Sequence, residues 1–294
     1  MTTCKWCQSE KTMKHGQRAG VQRCLCNECG HKFYNNENSF ARMRVNDYVI
    51  VTALNLYYSG LSTRRVREQI SDIFGETVAQ STVLYWIHKF GSLVNEYVAC
   101  LKPQLGGKYH HDETAIFVGG EEKWFWERID GDTRFIVAHL VTNSRTTRDA
   151  KNVFGQALEK QRPTGFTGGS FVYDKAVGKV FYSRYKANQV EWVRRVGIRA
   201  RETNNIVERS HGTLKDRLKP MRGLKNIEST QELLSGYVVN CNFCQTHSAI
   251  GKTLAQAAGI EVKGWKQLIQ NAMAQRTFEE VRDRQELLLE VNEE

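Results

Sequence analysis

Apolar and polar positions change their period along this chain, and each change marks a boundary. Near the start, Val21-Gln22-Arg23-Cys24-Leu25 alternates like a short strand after turn signals at Gly16 and Gly20. From Tyr48 to Tyr58 the spacing becomes helical, and the run stops at Ser59-Gly60. Leu61-Ser62 opens a second helix, with Ser62 as N-cap and Leu61 stapled to Val66. Val78 and Val83 repeat the staple before a third short helix, Thr82 to Lys89, although Ala79 is a poor N-cap there. Residues 92–107 read as another helix running out into the linker Lys102-Pro103-Gln104-Leu105-Gly106-Gly107.

From Lys108 the period drops to two. Lys108 to Val118, Trp124 to Asp130 and Arg134 to Val141 are three successive strands, the last two joined by a Gly131-Asp132 turn. A helix over Thr147 to Gln161 ends at Pro163. The apolar run Phe171-Val172-Tyr173 reads as a fourth strand closing on Asp174, and Gln189 to Val196 as a fifth. Asn204 to His211 begins a helix. The order β-β-β-α-β-α-β-α is that of an α/β ribonuclease H-like domain with a mixed five-stranded sheet. Pairing its first and fourth strands would set Asp112 beside Asp174. Phe278 to Val291 reads as a charged amphipathic helix. The expected organisation is 1–38 a small zinc ribbon, 39–102 a helix-turn-helix, 103–262 the catalytic domain and 263–294 a helical tail.

The formal charge is +10, while the last residues, 261–294, are acidic on balance. A basic body suits a polyanion, since neutralising phosphates releases counterions, but charge alone would not decide for nucleic acid. No apolar run reaches the ~20 residues of a membrane span, and the start lacks a signal-peptide core, so a cytoplasmic, nucleoid-associated location is expected. In that reducing setting Cys4-x2-Cys7 and Cys26-x2-Cys29 read as a four-thiolate Zn²⁺ site rather than as disulfides. Cys24 reads as a free or packed thiol, and Cys241-x2-Cys244 as buried thiols. A glycine turn between short helices fits a helix-turn-helix, with Gln80, Ser81, Tyr85, His88 and Lys89 as candidates to face DNA. A plain three-helix bundle is the alternative.

Asp112, Asp174 and Glu208 occupy three different local contexts, with 33 residues between the last two. Acids gathered from strand ends and a helix repel one another unless cations lie between them, and Mg²⁺ or Mn²⁺ is held by such carboxylates with phosphate oxygens. Asp130, Asp132 and Glu127 read as turn or salt-bridge residues. Glu113 points away from Asp112 by strand alternation.

The blocks His111-Asp112-Glu113-Thr114, Tyr173-Asp174-Lys175 and Asn204-Asn205-Ile206-Val207-Glu208-Arg209, with Lys215 following, resemble those of prokaryotic insertion-sequence transposases of the DDE type, relatives in fold of retroviral integrases. Lys219-Pro220-Met221-Arg222-Gly223-Leu224-Lys225 is similar to the basic segment of that family. Asn242, His247 and Gly251-Lys252-Thr253-Leu254-Ala255 are similar to its C-terminal signature, with Leu254 where the family usually has proline. The resemblance spans about residues 4–260. It implies that Asp112, Asp174 and Glu208 hold two catalytic metal ions, and that Lys215, Arg209, Lys219, Arg222 and Lys225 meet DNA phosphates. It further implies binding of double-stranded mobile-element ends, 3′-end cleavage and strand transfer to target DNA by a homodimer or higher oligomer. The competing readings are a non-catalytic DNA-binding regulator and a domesticated recombinase or nuclease.

Overall fold

A computed structural model describes residues 3–276, apart from 5, 19–20, 35–39, 41–42, 44, 161, 186–188, 195–203 and 222. The expected helix from Phe278 to Val291 lies outside the described residues. Contacts divide the chain into two compact units, one of Met1–Tyr57, Thr63–Cys100 and Gly264–Glu294, the other of Tyr58–Ser62 and Leu101–Lys263. Among the described residues, no helix is long and apolar enough to cross a membrane.

The first unit begins with a three-stranded antiparallel sheet, β1 (Thr12–Arg18), β2 (Val21–Cys26) and β3 (Lys32–Tyr34), in sequence order. Its small core is Cys4, Cys24, Cys26 and Phe33, so Cys24 is a packed thiol. Helices α1 (Asp47–Tyr58), α2 (Thr63–Phe74) and α3 (Gln80–Cys100) follow. The third differs from the sequence expectation. It is one continuous helix of 21 residues, not a short one with a successor. Gly91 is buried with Phe90 and Val94, and the helix runs through it. The segment 264–276 is helical and packs within this unit, with Lys266 Nζ 3.3 Å from Asp47 and Asn271 donating to the Tyr97 hydroxyl.

The second unit is built on β4 (Lys108–Val118), β5 (Glu121–Asp130), β6 (Ile136–Thr142), β7 (Gly165–Gly168) and β8 (Glu191–Arg194). The sheet order is β6-β5-β4-β7-β8, with β4, β5 and β6 antiparallel and β7 and β8 parallel to β4. This is the ribonuclease H-like arrangement. Helices α4 (Thr147–Lys160), α5 (Phe171–Val180), α6 (Asn205–Leu218) and α7 (Ile227–Val239), a π-helical turn (Asn240–Cys244) and α8 (Leu254–Ala257) complete it.

Side-chain alternation sorts the two faces of the sheet. His111 on β4 meets Trp126 of β5, Phe154 of α4 and Tyr173 of α5, so α4 and α5 cover that face. On the same face the fully buried Arg128 guanidinium lies over the Phe154 and Phe166 rings, 4.4 and 4.5 Å from their centroids. The opposite face carries Asp112, its register partner Glu127, and His139 opposite Glu127, beneath α6 and α7. Strand β6 is a sheet edge whose free backbone groups are taken up by side chains. Asn242 accepts from Ile136 N–H (2.9 Å) and donates to its carbonyl (3.0 Å), while Gln231 accepts from Val141 N–H.

One expected strand is a helix. The fourth strand is Gly165–Gly168, and Phe171-Val172-Tyr173 forms the first turn of α5. Ser170 caps it by accepting from Val172 N–H, and Tyr173, Ala176 and Val177 follow at helical spacing into the core. The chain turns tightly here. A Cβ on Gly168 would come within 2.8 Å of the Tyr173 ring and 3.0 Å of the His111 carbonyl. Asp174 is therefore not a strand neighbour of Asp112, since β4 and β7 pair through Lys108–His110 and Gly165–Thr167.

Candidate active site and thiolate cluster

Each of the three expected acids comes from its own element. Asp112 projects half-buried from the middle of β4. Desolvation raises its pKa to about 6, reinforced by the like charge of Glu208 and opposed by the Glu113 backbone and Arg145. Glu208 is exposed in the first turn of α6, whose N-terminus is tied to β4 where the Asn204 amide donates to the His111 carbonyl at 3.4 Å. Asp174 is exposed in the first turn of α5, and its Oδ1 accepts from the Trp192 indole N–H on β8 at 2.7 Å. The structure thus brings Glu208 into electrostatic range of Asp112 and gives Asp174 a partner on the neighbouring strand. Among the described residues, the one group of three or more His, Cys, Asp or Glu donors within 4.8 Å of one another is the four-cysteine cluster.

Two further carboxylates crowd Asp112. Glu113 lies on the other face of β4 against the Arg145 guanidinium, and Glu127 is buried on β5 with Oε2 3.8 Å from His211 Nε2. Burial pushes both to a pKa of about 7. The nearby Asp112 charge adds to each rise, Arg145 opposes it at Glu113, and the Ser210 hydroxyl opposes it at Glu127. Burial holds the His211 pKa down to about 4, with Lys215 adding to the effect. Glu127 is no surface turn residue. Its position directly across from Asp112 was not visible before the register was known. Asp130 does cap a turn, accepting from Gly106 N–H, Thr133 N–H and the Thr133 hydroxyl.

The candidate DNA contacts fall into groups. Lys215, Lys219 and Lys225 are exposed, and Lys219 pairs with Asp216 at 2.7 Å. Arg209 lines a cavity of about 850 Å³ beside α6, together with Arg134, Thr213 and Tyr237. Arg222 lies outside the described residues. The basic segment joins the far end of β4, where Leu224 bridges Val118 and its carbonyl accepts from Gly119 N–H. On α3, Ser81, Tyr85 and His88 are exposed and Lys89 is half-buried with Nζ 5.4 Å from the Tyr85 ring centre. Gln80 is engaged, its amide donating to Thr63 Oγ1 of α2 at 2.8 Å.

In the first unit, Cys4, Cys7, Cys26 and Cys29 converge, with sulfur pairs 3.6 Å (Cys4–Cys29) and 3.5 Å (Cys7–Cys26) apart. Sulfurs ~2.3 Å from a tetrahedral zinc ion would be separated by roughly 3.8 Å, so this donor set can hold zinc. Burial raises the Cys4 thiol to about 11 and pushes Cys29 higher still. Burial also opposes the Cys26 thiolate, but the Cys29 and Glu28 backbone N–H groups outweigh it and leave the pKa at about 7. Four ionised sulfurs this close require a cation among them. Cys241 and Cys244 join no such group, and burial lifts the Cys241 thiol to about 12.

Residues 106–247 match a family model described as a DDE domain. That segment is a DDE domain of the kind found in insertion-sequence transposases. The match runs from the linker before β4 to the turn after the π-helix and so contains all three acids. The catalytic core of HTLV-2 integrase in complex with magnesium is 12% identical, over 54% of this chain and 99% of that one, with a TM-score of 0.39. The catalytic core of BIV integrase is 15% identical over 52% and 93%, with a TM-score of 0.40. A chain from the structure of a simian T-cell lymphotropic virus intasome in complex with the PP2A regulatory subunit B56 gamma is 11% identical over 65% and 70%, with a TM-score of 0.40. No curated protein matches the chain. The DDE domain makes this an enzyme of the DDE type.

Proposed function

We propose that the chain is a transposase that binds the double-stranded ends of a mobile element, cleaves their 3′ ends and joins them to target DNA. The observation that carries the reading is the placement of the DDE-domain acids, with Asp112 on β4 under the like charge of Glu208 from the start of α6. Asp112, Asp174 and Glu208 would hold divalent ions, Mg²⁺ or Mn²⁺. A pair of such ions supplies activation of the attacking oxygen and charge neutralisation of the leaving oxygen in an in-line displacement. Burial raises the Asp112 pKa and the Glu208 charge adds to the rise, and a bound cation would offset both.

Around those acids the chain does the positioning. Helix α6 starts at the His111 carbonyl and its end leads to the basic segment that bridges Val118, so it follows β4 away from Asp112. Lys215, about 10 Å along α6 from Glu208 at ~1.5 Å per residue, is suited to hold a phosphate beside the scissile one. The first unit supplies recognition. Its four thiolates would fold a ribbon around Zn²⁺, and the α3 face bearing Ser81, Tyr85, His88 and Lys89 would meet the duplex, with Gln80 bracing that helix. Pairing two element ends calls for at least a dimer, working on DNA in the cytoplasm. The four segments 1–38, 39–102, 103–262 and 263–294 remain our functional division.

The test is cleavage and joining of end-containing DNA with Mg²⁺, comparing the native chain with Asp112→Asn and Glu208→Gln. Both substitutions should cut the rate at least ~100-fold while leaving DNA binding intact. Activity that survives either change, or a native protein that neither nicks nor joins, would remove the reading.

A further inference from the structure

Two carboxylates that the proposed reaction does not use flank Asp112, and each faces the element carrying another acid. Glu113 follows Asp112 in the chain and points to the opposite face of β4. Glu127 is the register partner of Asp112 on β5 and shares its face. Both side chains are 1% exposed. A carboxylate so enclosed is costly without a partner, so the partners these two have are informative.

Glu113 Oε1 contacts Nη2 of Arg145, and that same nitrogen donates to Ser170 Oγ at 3.3 Å. Ser170 is the N-cap of α5, and its hydroxyl accepts from Val172 N–H inside the turn that carries Asp174. Arg145 is steadied by the Trp124 ring, 4.9 Å from its centroid. The chain of contacts therefore runs from β4 to the helix start that bears the second acid. On the other face, Glu127 Oε2 packs 3.8 Å from His211 Nε2, beyond hydrogen-bond reach of the neutral ring, and the Ser210 hydroxyl of the same helix favours the Glu127 carboxylate. His211 is buried on α6 one turn beyond Glu208, the third acid. Both arms start next to Asp112 in space, one by sequence and one by register. Each ends within one helical turn of a different acid.

We propose that Glu113 and Glu127 are positioning residues that fix Asp174 and Glu208 relative to Asp112, the first through Arg145 and Ser170 and the second through His211. This rests on the reading of Asp112, Asp174 and Glu208 as the metal-holding set. Rigid support of this kind changes metal affinity about 10- to 100-fold when it is removed from other sites. The same order is expected here for either arm, and removal of both should approach the loss seen without Asp112.

The experiment uses the full chain and the Mn²⁺ ion alone, with free Mn²⁺ read from its electron paramagnetic resonance signal. Native protein is compared with Glu113→Gln, Glu127→Gln and the control Asp112→Asn, with thermal melts in parallel. The thiolate cluster is first loaded with one equivalent of Zn²⁺ and free zinc is removed, so that neither site is contested during the Mn²⁺ titration. Weakening of Mn²⁺ binding by at least ~10-fold in both glutamine variants, with cooperative melts and native DNA binding, supports the proposal. Native Mn²⁺ affinity in folded Glu113→Gln or Glu127→Gln overturns it for that arm, because a purely structural role would move only the melt. If Asp112→Asn binds Mn²⁺ as tightly as native, the metal-site reading itself fails. Where a glutamine variant does not fold, Arg145→Lys and His211→Asn take its place. Unchanged Mn²⁺ affinity in the substitute counts against that arm in the same way.

Discussion

At the scale of single residues, Trp192 deserves a role that no motif assigns. Its indole N–H donates to Asp174 Oδ1 at 2.7 Å, and its ring stands edge-on to Tyr173, 5.9 Å between centroids. A hydrogen bond to an ionised carboxylate is among the stronger ones and also fixes which way the carboxylate turns. Phenylalanine keeps the ring contact and loses the donor. Trp192→Phe should therefore leave the melting temperature within a few degrees of native and lower cleavage about 10-fold at limiting Mg²⁺, with recovery at high Mg²⁺. Measurement of rate against Mg²⁺ concentration checks this, and a rate loss that no amount of Mg²⁺ restores would refute it. Sequence patterns could name Asp174 but not its partner, because β8 and α5 become neighbours only through the sheet order.

Among the elements, α7 on the sheet shows how burial sets pH dependence. His139 on β6 has Nε2 2.9 Å from Ser235 Oγ of α7, stands opposite Glu127 on β5, and has Phe125 nearby. Enclosure lowers its pKa to about 4, below its ordinary value of 6.5. The neutral ring is thus favoured in the folded state. Its contribution to stability is full above pH ~6.5 and is lost as the pH falls through ~4, a change of up to ~3 kcal/mol. His139→Gln retains a partner for Ser235 and does not titrate, so its melting temperature should fall less than native between pH 7 and pH 4. Parallel falls in the two proteins would show that the acid limb arises elsewhere. The elements themselves were unevenly legible in the sequence. Strands β4, β5 and β6 alternate over enough residues to declare themselves. The run Phe171-Val172-Tyr173 is too short to tell a strand from a helix by period, and Ser170 as a cap was the overlooked cue. The expected break after Lys89 is absent, because Phe90, Gly91 and Val94 are buried on one continuous helix. The departure at Leu254 proves mild. It takes the first position of α8, where a proline would be well placed, and the capping box of Thr253 and Gln256 starts that helix without one.

For the whole molecule, the distribution of charge makes a graded prediction about DNA. Helix α6 has 14 residues and so spans ~21 Å, close to the ~20 Å from Asp112 to Val118 along β4. Lys215, Lys219 and Lys225 are exposed in the stretch of chain that leads from Glu208 to where Leu224 bridges Val118. Each phosphate that such a cation neutralises should steepen the fall of log affinity with log salt by about 0.9. The three are not equivalent, however. Lys219 is already paired with Asp216, so part of its charge is spent before DNA arrives, whereas no ion pair among the described residues involves Lys215 or Lys225. Lys215→Ala and Lys225→Ala should each lower the salt slope by close to one, and Lys219→Ala by clearly less. These losses should be equal on element ends and on unrelated duplex, because phosphates carry no sequence. Substitutions on α3 should behave oppositely, with Tyr85→Ala or His88→Ala weakening binding to element ends more than to unrelated DNA. Fluorescence anisotropy over a salt series, with both duplexes, separates the two classes. A loss at Lys215 that depended on sequence, or one at Tyr85 that did not, would reverse the division of labour between the two units.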